Sequence, residues 1–471
     1  MADDGPAFSA WLKPDDYGSE LMDGKSTTLQ VVHCVDTEGP LINEPLSTTF
    51  ARLREIFGIV VDETPESLAA IQTKAYPCGG REEEVYEVFK PEKLNFNETW
   101  DMVDEMLRRI TLPAFRQTVT DSFGEGWIFS WHCIDHIGIR ENPRGRDLTM
   151  HGVYDHYRHL IETWPGCQRD QINFHFHPIP YTRNAAHCAT HYFAQGPDIY
   201  SAIAQRLIDR QFFPSVNRAG LHTIRPDSHW FLEQFIPFDI SNQSVVEQET
   251  VQADMGRGRF GDWRRAPVTW APYHPAHDDY QAVGVCNRWI GRCLNLGGRA
   301  RALTLEDCEL AFEEAREGKP AVLAFTNHDF RDMEPEIRLA HDMLSACKAK
   351  YPDVSFKYAA SRDAMRDALG LHQGEPLTFT TTWDGATLLL EANKNSFGPQ
   401  PFLAIKTKDG AYVHDNLDFQ CPYRQWSYTF DENQYPLESV EKIGIGSCDS
   451  AGFATAMVID VASGDTSTAI I

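Results

Sequence analysis

Two strand-length apolar runs in this chain stop on pairs of side chains able to hold a metal ion, and that coincidence narrows the folds open to it. In Gln171-Ile-Asn-Phe-His-Phe-His-Pro178 the residues His175 and His177 lie two apart. On a strand that spacing puts both imidazoles on one face, about 6 to 7 Å from each other. In Leu29-Gln-Val-Val-His-Cys-Val-Asp-Thr-Glu-Gly-Pro40 the same spacing puts Asp36 and Glu38 on one side. Taken singly, His-x-His is more often a hydrogen-bonded pair, and Asp-x-Glu at a strand end is usually a cap or turn device. Here both pairs close an apolar run, and each is followed by a turn signal, Gly39-Pro40 or Pro178. Parallel barrels gather the carboxyl ends of their strands at one mouth, so the two pairs are expected to converge there on one divalent ion.

Composition sets the outer limits. With 471 residues, 42% of them hydrophobic, the chain can bury large cores, and its length suggests two to three domains. No run approaches the roughly 18 consecutive apolar residues a membrane span needs, and Met-Ala-Asp-Asp-Gly-Pro lacks the basic and apolar regions of a signal peptide. The eleven cysteines are odd in number and contain no Cys-x-x-Cys pair, which fits reduced thiols in a cytoplasmic protein. Forty-three basic against 68 acidic residues give a formal charge of -25, which argues against nucleic acid or an anionic membrane as partner. Oligomeric state stays open, a homo-oligomer included.

Along the chain, residues 1–28 are polar and read as an N-terminal arm. From 29 to 371, strand-like runs alternate with helical patterns, which indicates an α/β barrel or open parallel sheet. Strands are expected near 29–36, 126–132, 171–177 and 321–328, with a short one before Arg225. Helices are expected over Asn97–Ile110, near 153–163, from the capping box Thr304-Leu-Glu-Asp307 to Glu317, and over 335–349 and 360–369. Residues 46–75 read as loop and helix, and Glu82–Lys90 as a charged connection. The stretch between Arg225 and Ala321, containing Trp263, Trp270 and Tyr273, reads as a long insertion of the functional-rim kind. Beyond 372, short β runs separated by Asp384-Gly385 and Asp409-Gly410 predict antiparallel strands, taken over 372–471 as a β-sandwich.

The ordered motifs over residues 29 to 332 resemble the polysaccharide deacetylase (NodB-homology) superfamily, metal-dependent carbohydrate deacetylases built on an irregular α/β barrel. The resemblance implies Asp36 as base and Glu38 as metal ligand, His175 and His177 as the metal histidines in the His-x-His form, Arg225 of Thr223-Ile-Arg-Pro-Asp227 as the arginine orienting the base, and His328 of Phe325-Thr-Asn-His328 as the acid. The chain departs from the best-known members, which have adjacent acids in the first motif and more widely spaced histidines in the second. His132 and His136 of Trp131-His-Cys-Ile-Asp-His136 have that wider spacing and stand as an alternative metal pair.

The chemistry can be stated without the family. One carboxylate and two neutral imidazoles would hold one divalent ion, Zn2+ the first choice, leaving room for water and a substrate carbonyl. Asp36 would take a proton from the attacking water and a cationic His328 would give one to the leaving group. An adjacent Arg225 would keep Asp36 ionised. The expectation is a metal-dependent amide or ester hydrolase, foremost a carbohydrate N- or O-deacetylase, acting on an acetylated carbohydrate or a small amide. The alternative is a catalytically inactive carbohydrate-binding or assembly protein on the same fold. A weaker third option, a glycosidase, would need Asp329 or Asp332 facing Asp36. His187, His191 and His222 read as loop histidines, and Trp230, Trp263, Trp270 and Tyr273 as packing.

Overall fold

A computed structural model describes residues 28–187, 198–245, 261–297, 301–371 and 374–471. The arm expected over residues 1–28 lies outside the described residues except for Thr28, and so does His191.

The strands of the first part, in chain order, are β1 (Thr28–Thr37), β2 (Phe129–Ile134), β3 (Gln171–Phe176), β4 (Val216–Ala219), β5 (Phe238–Asn242), the short hairpin β6 (Pro275–Ala276) and β7 (Asp279–Val283), β8 (Trp289–Asn295), β9 (Val322–His328) and β10 (Ser355–Tyr358). Seven of them, β1-β2-β3-β4-β5-β8-β9, form a closed parallel ring, because β9 returns to pair with β1 from Gln30↔Val322 to Asp36↔His328. β10 adds to the outside of this ring by pairing with the first residues of β1. Parallel strands covered by helices are buried on both faces, and β1 and β9 are accordingly buried along almost their whole length.

Helices cover the ring. The one at Trp100–Thr111 starts where the Thr99 hydroxyl accepts from the Met102 N–H, and it buries Val103, Met106, Leu107 and Ile110. The Thr304 capping box opens Leu305–Arg316 as expected, and Glu334–Lys350 and Ser361–Ala368 follow.

Two expectations need correction. Glu82–Phe89 is a helix, since Val85, Val88 and Phe89 recur at helical spacing among its acids and pack on Phe50 and Leu53. The stretch between Arg225 and Ala321 holds two barrel strands, β5 and β8, and the helix Pro226–Phe235. These strands were hidden by the buried polar residues Asp239 and Arg292, which interrupt the apolar run expected of a parallel strand. Trp263, Trp270 and Tyr273 are buried there, in agreement with packing.

The C-terminal part contains β11 (Phe379–Asp384), β12 (Thr387–Ala392), β13 (Phe402–Thr407), β14 (Tyr412–Asp415), β15 (Asp418–Cys421), β16 (Gln425–Thr429), β17 (Val440–Cys448), β18 (Ala454–Asp460) and β19 (Thr466–Ile470). They form two antiparallel sheets, β11-β12-β16-β15 and β14-β13-β17-β18-β19, around an apolar core that includes Leu388, Leu390, Leu403, Ile405, Trp426 and Ile445. The chain is thus an α/β barrel followed by a β-sandwich. The helix Asp198–Arg210 of the barrel lies on the second sheet, where Gly444 of β17 leaves room for Leu207 and Ile208. The Tyr412 hydroxyl donates to Asp209 at 2.7 Å across the same junction.

Candidate metal centre and active site

At the carboxyl mouth of the ring, β1 brings Asp36 into register with His132 of β2 and His328 of β9, and β3 brings His175 into register with Arg218 of β4. Glu38, His175 and His177 offer ligand atoms that all lie within 4.8 Å of one another. Nε2 of His177 is 3.0 Å from Nε2 of His175 and 3.1 Å from Oε1 of Glu38. His175 is fully buried, and its Nδ1–H donates to the Arg218 carbonyl at 2.8 Å. That bond fixes the tautomer and leaves a lone pair on Nε2, the arrangement by which metal-binding histidines are oriented.

The three facing atoms are therefore acceptors with at most one proton among them. Burial and the nearby Arg146 push His177 down to about 3, so the proton deficit is not made good by an imidazolium. Burial likewise holds His175 well below the usual histidine range, against the pull of Asp36. Such a set fits a small divalent cation with nitrogen and oxygen preference. Gly220, just beyond β4, makes the approach possible, because a Cβ there would overlap the His177 ring.

Asp36 is held by a buried guanidinium, but the guanidinium is that of Arg218. Nη2 of Arg218 donates to Oδ2 at 3.0 Å, and Nε donates to Oδ1. Burial alone would raise the Asp36 carboxyl; the Arg218 guanidinium beside it holds it well below the usual range. The expectation for Arg225 is corrected accordingly. Arg225 stands at the N-cap of Pro226–Phe235, where its backbone N–H and carbonyl bond the Ser228 hydroxyl, and it does not line the cavity at the mouth. Arg218 was legible in principle. It is a lone cation inside a four-residue strand, and a buried guanidinium demands an acid partner.

His328 faces both carboxylates, with Nε2 3.7 Å from Oδ2 of Asp36 and 3.8 Å from Oε1 of Glu38. Burial, with Arg331, Arg218 and Arg146 near, lowers it to about 3 despite Asp36. The resting ring is neutral, so a role as acid requires it to gain a proton before the leaving group departs.

Three further residues complete the site. Asp329 accepts from the backbone N–H groups of Glu38 and Gly39, both at 2.9 Å, and from the Tyr157 hydroxyl at 2.8 Å, so it anchors the turn that carries Glu38. Arg146, from the loop after β2, donates to Oε2 of Glu38. His222 accepts at Nε2 from Arg218 at 2.9 Å and from the Gln243 amide at 2.7 Å, so this histidine belongs to the site and not to a remote loop.

The alternatives do not assemble. His132 is buried between the Phe174 carbonyl and the Ser361 hydroxyl, and neither it nor His136 belongs to a possible metal group among the described residues. Asp329 is spent on its three donors, and Asp332 pairs with Arg109 at 3.1 Å, so neither supplies the second carboxylate of a glycosidase.

A cavity of about 260 Å3 opens over Asp36, Glu38, His177 and His328. Compared with known proteins, the chain matches no family model, no curated protein and no solved structure. Among the described residues no helix is long and apolar enough to cross a membrane.

Proposed function

We propose that this protein is a metal-dependent hydrolase of an amide or ester bond, with a carbohydrate N- or O-deacetylase as the reading its motifs favour. The observation that carries it is the cluster of Glu38, His175 and His177, in which an oriented lone pair on His175 faces two further acceptor atoms. Zinc or a similar ion held there would polarise a carbonyl oxygen and acidify water.

The chain's own residues account for the proton. Asp36, ionised and fixed by Arg218, accepts it as water oxygen bonds the carbonyl carbon. Neutral His328, 3.7 Å away, can take the proton on and deliver it to the departing nitrogen or oxygen as the bond to carbon breaks. The products are an acid and an amine or alcohol. Arg218 serves both halves, its side chain holding the base and its carbonyl orienting a metal histidine.

The test is metal content per chain in the parent and in a His175→Ala, His177→Ala double variant, with acetate release from acetylated sugars followed in parallel. About one zinc per parent chain, lost in the variant together with acetate release, is the expected result. A parent that takes up no metal on reconstitution would sink the reading and leave a carbohydrate-binding or assembly role. Metal without acetate release would keep the hydrolase and discard the deacetylase.

A further inference from the structure

The wall of the cavity above the metal cluster runs against the charge of the whole molecule. The chain carries a formal charge of -25, yet Lys93, Arg144, Arg146, Arg301 and Arg331 all line this one cavity. The acids lining it are Asp36, Glu38 and Glu44. Each is already engaged, Asp36 by Arg218, Glu38 by Arg146, and Glu44 by Arg52 at 2.6 Å as well as by Arg144 at 3.4 Å. Arg331 in turn pairs with Glu336 at 3.5 Å, and with five cations against three acids along the wall the positive charge is still in excess on the cavity side.

Hydrogen bonding at the wall agrees. Nη2 of Arg144 and Nε of Arg331 are buried and have no partner among the described residues. Buried guanidinium N–H groups without acceptors are costly, and they persist where a ligand supplies the acceptor. Arg301 bonds two neutral oxygens, Oε1 of Gln243 at 2.8 Å and the Gly261 carbonyl at 3.2 Å. Its backbone is pinned, since its carbonyl accepts from the Asn295 N–H at 3.0 Å.

Backbone strain gathers at the same place. Leu221, His222 and Arg301 have φ of 57°, 52° and 49°, a left-handed conformation that costs a side-chain-bearing residue energy. All three line the cavity. Arg301 is tied to the base through Gln243, which donates to His222, which accepts from Arg218. An anion drawn to Arg301 would therefore lie close to the reacting centre.

We propose that this cavity selects substrates carrying an oxyanion, a carboxylate or a phosphate, besides the bond that is cleaved, with Arg301 and Arg144 as its principal holders. The reading rests on the hydrolase assignment for what happens to the ligand; the charge of the wall stands on the cavity alone. A part-buried guanidinium cluster binds oxyanions by charge-assisted hydrogen bonds, and a cavity focuses that field against an acidic exterior.

The test is calorimetric binding of N-acetylglucosamine, N-acetylglucosamine 6-phosphate and N-acetylmuramic acid to the full chain, in zinc-loaded and chelator-stripped protein. At least one anionic sugar is expected to bind about tenfold or more tighter than the neutral one in both states, and to weaken as salt is added. Which of the two does so names the oxyanion. Arg301→Gln is expected to remove the preference while retaining the parent's zinc content, and Arg144→Gln serves if the first variant does not fold. No preference for either anion, or one present only with zinc bound, overturns the proposal. A preference that survives in a parent unable to bind zinc would leave the anion site standing and remove the hydrolase reading.

Discussion

The mouth of the barrel and the interior of the sandwich bury side chains of opposite character. Asp36, His175, Arg218 and Asp329 are buried with charges and protons matched partner by partner. The sandwich core is built from Leu, Ile, Trp and Phe side chains, and a strand such as β12 alternates buried and exposed positions residue by residue. An apolar core tolerates loss gradually, since each side chain contributes area. A buried ionic network is all or nothing, since a charge left without its partner keeps the full desolvation penalty.

The sharpest way to break this comparison is Arg218→Met, which strands the Asp36 carboxylate. A loss of about 3 to 5 kcal/mol is expected in urea unfolding. Adding Asp36→Leu to it should recover most of that loss, as both charges are then gone. If the double variant is no more stable than the single one, the pair does not act as an ionic unit.

Acid gives the next largest effect. His33 accepts from Trp127 N–H at 2.9 Å on Nδ1, so its Nε2–H faces Asn327 at 2.8 Å and the ring is neutral. Burial lowers it from 6.5 to about 4. Above pH 6.5 neither folded nor unfolded chain protonates it; between 6.5 and 4 the unfolded chain binds a proton that the folded one refuses, so stability falls as pH falls. For His33 alone the loss amounts to roughly 3 kcal/mol below pH 4. His229 is lowered to about 4 by burial in the same part of the chain, and from residue 374 onward the one histidine, His414, is lowered to about 4 likewise, so most of this acid sensitivity lies in the barrel. Hydrogen exchange of chelated protein through this pH window should therefore show barrel peptides losing protection before sandwich peptides. Simultaneous loss would contradict the contrast.

Gly220→Ala sharpens it at the metal. The added methyl displaces His177 and should cost about 1 to 3 kcal/mol, with a fall in zinc affinity of about tenfold or more. Gly385→Ala, at a sandwich turn with φ of 61° and open space around it, should cost only about 1 kcal/mol and leave zinc binding alone. Equal zinc affinities in the two variants would separate Gly220 from the metal cluster. The smallest effect belongs to Lys406→Met, which removes a partly exposed pair with Glu441 on the sandwich and should change stability by less than about 1 kcal/mol. A larger loss would place an ionic contribution where the comparison has none.

How much could be read beforehand follows the same division. The β1, β3 and β9 runs end on their site residues because an apolar strand that stops abruptly on acids or histidines leaves a plain trace. β5 and β8 left no such trace, because Asp239 and Arg292 are polar groups buried inside the protein, where Asp239 accepts from the Asn217 amide and Arg292 donates to Asp307. Their pattern looks like a loop until the partners are known. Arg218 and Arg225 are hard to tell apart for the same reason, since only six residues lie between two arginines of identical chemistry.

Local pattern by itself determined most of the alternation of strand and helix, the antiparallel C-terminal strands and the candidate site residues Asp36, Glu38, His175, His177 and His328, because period, caps and strand ends are written within a few residues. Tertiary structure alone decided that β9 closes on β1, that Arg218 and not Arg225 meets Asp36, and that Lys93, Arg144 with Arg146, Arg301 and Arg331, from distant parts of the chain, face one cavity. Those facts join residues up to hundreds of positions apart, and the electrostatic matching of buried charges acts through space without regard to chain order.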